Sequence, residues 1–495
     1  MKNIREYDYC IVGTGIAGGT IAKLLSETNK SIVIVEKGSN HHEKPNFISK
    51  GRDFGLRTTT SIQIGGTSNL WHGVLSFLDL IDFSKRSWIK KSGWPINFKE
   101  LVPYYNKISS LFGIEDFDFF DKNKLNDNLS NELESIPFNR QILKNKMFQQ
   151  PLDILNFKKT INLLSKKNNI TLLKNHTACK FVLSHDSVDE LVVANHEGFI
   201  KIKSKFYILC AGALESPRLL LNSSIDNINI GKYLMDHPMG NLCQVKFKKP
   251  QKAQIYSAKK YKKGIAIKTG LVFSDELQSK QKIPNHCFYL RPSFSRGLDN
   301  KSEKVKLSLL TFKDGNISFK DVFYVLRNFN IAFQILTYKL SYNATYKYAD
   351  LFFVSEQTPS EDSYVKLSKT ENDRYGFPLA EVNWNVSDYD IKSVEKCYKI
   401  LKEIGFSEQD YEFTHNFNDL DWKTNFTSAA HHVGTCRMAE NKNDGVVDKN
   451  LKVFDLKNLY VCDGSVFPTG GNVNNGFTVA ALASRLTNHL LNKNG

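Results

Sequence analysis

The hydrophobic pattern changes period several times along the chain, and each change predicts an element. YDYCIV (7–12) is a short apolar run of strand length. GTGIAGG and a helix-like stretch through Leu24 and Leu25 follow it, and then a second apolar run, SIVIVE (31–36). Residues 7–36 therefore predict β-α-β. Residues 85–160 read as helical and loop-rich, with WPINFKELVPYYNKISSLF (94–112) apolar at helical spacing after a start signal near Pro95. Short strands return over 170–225 and end in YILCAGALESPRLLLNS (207–223), a buried strand running through a glycine turn into a helix. Between 241 and 425, alternating segments such as YVKLS (364–368) and AEVNW (380–384) predict an antiparallel sheet with helices packed on it. Over 322–340, Val322, Leu326, Phe329, Phe333, Leu336 and Leu340 share one stripe. We read this as a core-facing helix, a membrane-surface helix being the alternative. The last 65 residues return to strand, turn and helix.

A chain of 495 residues is too long for one compact unit. It shows no internal repeat and no low-complexity linker, so two interleaved domains are expected. One takes 1–84, 165–240 and 426–495; the other takes 85–164 and 241–425.

Composition changes this picture little. Its 41% hydrophobic and 24% charged residues are those of an ordinary globular protein. The formal charge of +16 has two readings: a lysine- and asparagine-biased composition, which we favour, or an anionic substrate or surface. No nucleic-acid-binding signature and no block of five or six basic residues accompanies it, so no nucleic-acid partner is expected. MKNIREYDYCIVGTG runs straight into a strand without the apolar region of a signal peptide, and no apolar run of ~18 residues spans a membrane. The eight cysteines (Cys10, Cys179, Cys210, Cys243, Cys287, Cys397, Cys436, Cys462) lie far apart in mostly apolar stretches. Such cysteines predict buried free thiols in a reducing compartment. A cytoplasmic location is expected, with peripheral membrane association as the variant. No cluster has zinc-ligand spacing, so no metal is expected.

Gly13, Gly15 and Gly18 form G-x-G-x-x-G between the first strand and its helix. The first glycine permits the tight turn, the second lets backbone approach a diphosphate, and the third lets helix and strand pack closely. The diphosphate would sit on the helix N-terminus, where free N–H groups and the positive end of the dipole face it. Glu36, ending the second strand, has the spacing of an acid that bonds a ribose hydroxyl. This predicts dinucleotide binding without separating FAD from NAD. No second such loop appears, which argues against a reductase holding both.

Further blocks stand downstream: IGGTSNLWHG (64–73), WPINFKELVPYY (94–105), CAGALESPRLLLNS (210–223), IGKYLMDHP (230–238), HHVGTCRM (431–438) and GVVDKNLKVFDLKNLYVCDGSVFPTGGNVNNGFTVAALASRL (445–486). In order and spacing these resemble the signature blocks of the glucose–methanol–choline (GMC) oxidoreductases, strongly over 5–110, 200–240 and 425–495. The variants WHG, HHVGTCRM and EQTP look closer to the bacterial sugar dehydrogenase and pyranose oxidase branches. The resemblance implies a Rossmann-type FAD domain interleaved with a six-stranded antiparallel substrate domain backed by helices. It also implies oxidation of a CH–OH carbon by hydride transfer to FAD. The family's catalytic histidine falls on His431 and its partner on Asn474. Asn475 replaces the proline common in the family, which opens the choice between Asn474 and Asn475. Gly66, Thr67, Asn69, Trp71, Ala211, Asn475 and Asp463 fall on FAD-binding positions, Asp463 having a plain turn former as its alternative. The family's covalent flavin link, where it exists, falls on Leu70 here, with His72 two residues later, so FAD is expected to bind non-covalently.

The chemistry supports the pair independently. A neutral imidazole with a pKa near 6.5 can take a hydroxyl proton at neutral pH, and an amide beside it can orient the hydroxyl. A helix following Asn474 (477–491) would aim its N-terminus at negative charge on the cofactor. His432 reads as a support residue and His41 and His42 as a solvated loop. The expected substrate is a small alcohol, sugar or polyol, an anionic one being the minority reading. The electron acceptor is left open among O2, a quinone and a protein. A flavoprotein lyase of the same fold and an inactive flavin-binding protein are the alternatives.

Overall fold

The computed structural model describes residues 6–52, 55, 59–116, 131, 136–252, 256, 259–262, 264–297, 301–313, 318–340, 345–414 and 426–493. Strand Glu6–Val12 is apolar and buried over Tyr9–Val12, because there it is the inner strand of a parallel sheet covered on both faces. It pairs in parallel with Ile32–Glu36 on one side and with Gly198–Leu209 on the other. Ile170–Lys174 extends one edge, and Leu459–Val461 joins the end of Gly198–Leu209. Thr177–Ser184 and Ser187–Asn195 form an antiparallel meander running into that strand. Helix Ile16–Leu25 packs against the C-terminal helix Gly476–Asn492, which also receives Phe98–Phe112. The β-α-β reading of 7–36 holds, and so does the strand, glycine turn and helix of 207–223.

Among the described residues a second, antiparallel sheet has eight strands, two more than the resemblance implied. Its path runs Lys259–Lys262, Ile265–Phe273, Cys287–Ser293, Tyr346–Val354, Pro238–Gln251 and Tyr411–Phe413, with Leu143–Pro151 and Thr427–Ser428 paired onto it. Leu143–Pro151 lies inside the stretch read as helical and loop-rich. Its polar LysAsnLys start hides the alternation, and pairing along all of Ile265–Phe273 makes it a strand. Much of 117–135 lies outside the described residues.

The YVKLS and AEVNW segments are strands, but not of this sheet. Tyr364–Asn372 and Pro378–Trp384 form a three-stranded sheet with Ile48–Gly51. The 322–340 stripe is also corrected. It belongs to two helices, Phe319–Arg327 and Phe329–Leu340, and most of it faces outward because Ala332 and Ile335 on the opposite side already fill the contact with the protein. A Rossmann-type sheet is thus interleaved with an antiparallel sheet backed by helices. All eight cysteines are buried free thiols. Among the described residues no helix is long and apolar enough to cross a membrane.

Candidate active site

The glycine loop can be sorted by what a side chain would meet at each position. At Gly13 a Cβ would lie 2.6 Å from the Cys210 carbonyl oxygen, and at Gly18 it would lie 2.0 Å from that of Gly13, so protein packing explains both. Gly15, the residue before helix Ile16–Leu25, is different: a Cβ there meets nothing within 4 Å. The polypeptide gives no reason for glycine at this point, whereas a diphosphate against the backbone does. Gly66 brings its loop onto this cradle, a Cβ on it falling 3.1 Å from the Gly15 Cα.

Glu36 is buried below the loop. Its carboxylate accepts from the Thr14 N–H (3.0 Å), the Thr14 hydroxyl (2.5 Å) and the Gly38 N–H (2.8 Å), while burial pushes its pKa up. Both oxygens keep acceptor capacity for a ribose hydroxyl.

The other expected cofactor residues divide into exposed and internally engaged groups. The Thr67 side chain is exposed at the cradle's edge. Asn69 donates to the Ile64 and Gly66 carbonyls and holds the turn Gly66–Asn69. Trp71 is pinned by its indole N–H to the Leu155 carbonyl (3.0 Å). Ala211 precedes helix Gly212–Asn222, whose N-terminus is anchored by Asp463. That buried carboxylate accepts from the Gly212 N–H, the Ser216 hydroxyl and the Ser465 N–H, at 2.9, 2.6 and 2.8 Å. Leu70 is half-exposed, and its side chain cannot form a covalent flavin link. Acid or heat denaturation should therefore release intact FAD; flavin that stays on the polypeptide would point to His72.

His431 is placed by strand pairing. Thr427 and Ser428 pair with Met239 and Pro238, and Val433 bridges Met235. Between these contacts one segment passes through two residues (236–237) and the other through four (429–432), so the longer one bulges outward. Ala430 turns the bulge in the left-handed region (φ 62°), which directs His431 into the site. Asp236 holds the turn together. Its Oδ1 accepts from the backbone N–H of His431 (2.9 Å) and of His237 (2.6 Å), its Oδ2 accepts from the Ser428 hydroxyl, and His432 Nε2 lies 3.6 Å away.

Asn474 arrives on the loop GlyGlyAsnValAsnAsn (470–475). That loop is braced below by Asn472 on Asp79 (3.2 Å) and Thr469 on the Asp82 carbonyl (3.1 Å), beside the buried bidentate pair Arg86–Glu356. Burial, then Glu356 and Asp79, push the Asp82 carboxyl up to about 8. Asn475 takes a different part from Asn474: its amide donates to the His431 carbonyl (3.3 Å), and it immediately precedes helix Gly476–Asn492 without a side-chain capping bond. A Cβ on the next residue, Gly476, would lie 3.0 Å from Ile16 and 3.1 Å from Trp71, so this helix start abuts the glycine-loop helix.

With the Asn474 amide oriented as it stands, the ring contacts favour one tautomer of the histidine. Asn474 Nδ2 stands 2.9 Å from His431 Nε2, and an amide NH2 can only donate, so Nε2 carries the lone pair. The ring proton is then on Nδ1, which donates to His237 Nδ1 at 3.1 Å. His237 keeps its own proton on Nε2, beside the Gly470 backbone. Burial, reinforced by His237, lowers the His431 pKa from the expected 6.5 to about 3, and burial lowers that of His237 to about 4. Asp236, His237 and Gln357, which accepts the Asp236 N–H (2.9 Å), were quoted in the sequence only as parts of family blocks. Nothing in their local pattern marks them.

Family models for GMC oxidoreductases match residues 159–239 and 359–483. The chain belongs to the GMC oxidoreductase family. As a GMC oxidoreductase it is an FAD-dependent enzyme acting on CH–OH donors. It is 23% identical to 2-methyl-1,2-propanediol dehydrogenase of Mycolicibacterium austroafricanum, over 98% of this chain and 95% of the relative. It is 24% identical to a long-chain-alcohol oxidase of Arabidopsis thaliana, over 98% and 68%. Among solved structures, pyridoxine 4-oxidase from Mesorbium loti shares its fold with a TM-score of 0.57 and 17% identity, over 98% of this chain and 99% of that one.

Proposed function

We propose that the enzyme oxidises an alcohol carbon of a small polyol or sugar, with His431 as the base and Asn474 as the group that orients the hydroxyl. The observation that carries this reading is the 2.9 Å contact between Nε2 of the half-buried His431 imidazole and the amide of Asn474, on the loop whose following helix abuts the glycine cradle. When bound, FAD supplies the hydride acceptor. Gly15 and Gly66 would hold its diphosphate and Glu36 its ribose. A substrate hydroxyl replaces the amide as the donor to Nε2, while the Asn474 NH2 group turns to the hydroxyl oxygen. Burial disfavours a free imidazolium, so His431 takes the proton only as the carbinol C–H bond breaks. Asp236 is the nearby carboxylate that favours the proton there. The support for a polyol is the diol-oxidising relative.

His237 acts as a positioning residue: by accepting from Nδ1–H it keeps the lone pair on Nε2. The test is an anaerobic screen of flavin bleaching against alcohols, sugars and nucleotide sugars, with air readmitted to follow reoxidation. Bleaching by one alcohol class is expected. Cleavage of a hydroxynitrile without bleaching would replace this reading with a lyase. With that substrate, His237→Phe should lower kcat about 10²-fold while KM and flavin content change little. His237→Asn should restore part of the rate through its acceptor oxygen. An unchanged kcat in His237→Phe would remove His237 from the mechanism.

A further inference from the structure

The helices Lys301–Lys313, Phe319–Arg327 and Phe329–Leu340 pack on one another, and Val305, Ala332 and Ile335 bury their inner side against the substrate-sheet core. The outer side is apolar as well. Phe319 is 96% exposed, Phe323 68%, Leu326 65%, Phe329 62%, Phe333 60% and Leu340 84%. Within each helix their spacing keeps them on one face, and Asn328 (φ −115°, ψ 35°) ends the first helix and leads directly into the second. At 1.5 Å per residue the two helices, of nine and twelve residues, are about 13 and 18 Å long. An aromatic side chain carries ~150–250 Å², so the face is on the order of 1,000 Å². The largest apolar patch on a typical monomer is only about 300–600 Å².

Charge identifies the occupant. Residues 246–264 carry eight lysines and no acid, a local concentration that scattered compositional bias does not produce. Lys248, Lys249 and Lys252 are exposed at the end of strand Pro238–Gln251. This end adjoins the helices: Gln251 pairs with Tyr346, whose ring lies 5.8 Å from that of Tyr338. Lys320 and Arg327 are exposed beside the stripe itself. Among the nearby acids, Asp321 is engaged by the hydroxyls of Ser308 and Ser318, Glu303 by Lys306 and Glu412 by Lys246, while Asp410 lies beside Lys248, whose N–H its carbonyl accepts.

We propose that this face docks the enzyme on an anionic lipid surface, the phenylalanines entering the headgroup–acyl boundary and the lysines meeting lipid phosphates. An apolar stripe together with a basic cluster supplies the two signals that stable peripheral binding needs. A second copy of the chain fits less well, because a two-fold contact would set these lysines and arginines against their own equivalents.

The test is co-sedimentation of the FAD-loaded enzyme with vesicles of phosphatidylcholine alone and with about one third phosphatidylglycerol. Binding to the anionic vesicles is expected, at least tenfold tighter than to the neutral ones and weakened at about 1 M salt. Phe323→Ser with Phe333→Ser should weaken it about a hundredfold, and so should the triple change Lys248→Gln, Lys249→Gln, Lys252→Gln. Flavin content and turnover of a soluble alcohol should stay unchanged, since none of these residues approaches His431 or the cradle. Equal binding to both vesicles would overturn the anionic assignment. Failure to bind either would overturn the proposal, and dimers dissolved by the phenylalanine changes would then assign the face to a second copy.

Discussion

His431→Ala should slow anaerobic flavin reduction by about 10²–10⁴-fold while FAD content stays normal. A positioned base contributes ~10²–10⁴ in rate, or roughly 3–5 kcal/mol of barrier. The flavin cradle is built from other segments, so its occupancy should not follow the loss of the imidazole. His432→Ala should cost markedly less, because that ring approaches Asp236, whereas it is the His431 ring that meets Asn474. Asn474→Ala should fall between them, removing orientation but leaving the lone pair. The pH profile separates base from scaffold. A base works unprotonated, so the rate rises as pH passes its pKa. Burial lowers that of His431, which puts the ascending limb well below the ordinary imidazole value and leaves the neutral range flat. In His431→Ala the limb should vanish. A larger loss in His432→Ala would exchange the two roles, and no loss in either would end the alcohol-oxidation mechanism.

What the sequence showed of this site depended on the range of the interactions. The glycine loop, Glu36 and the helix after Asn474 are local: their spacing follows from one strand, one turn and one helix. His431 and Asn474 emerged through the family blocks. The partners that hold them did not. His237 meets His431 because Ser428 pairs with Pro238 and two extra residues bulge out beyond that pair. Only the assembled sheet creates that register. The same limit explains Tyr364–Asn372 and Pro378–Trp384, whose alternation marks strands but could not show that Ile48–Gly51 would be their partner. Over 319–340 the period identified which residues share a face. It could not say what lies opposite, and there the helices have apolar residues on both sides.

Gly15→Val should yield largely apo protein with the fold intact. At Gly13 or Gly18 a substitution would mix two effects, because a Cβ there collides with the Cys210 or Gly13 carbonyl and strains the chain whether or not nucleotide binds. Gly15 lacks that ambiguity. Its backbone sits at φ −65°, which any residue tolerates, and a Cβ points into space free of protein. The isopropyl group would occupy the volume through which a diphosphate reaches the N–H groups at the start of helix Ile16–Leu25. Thermal unfolding of flavin-stripped protein should therefore be nearly the same for Gly15→Val and wild type. Only the wild type should recover the yellow chromophore, and gain thermal stability, on adding FAD, since a ligand stabilises the state it binds. Full flavin occupancy in Gly15→Val would mean that the diphosphate does not approach this backbone, and the cradle assignment would fall with it.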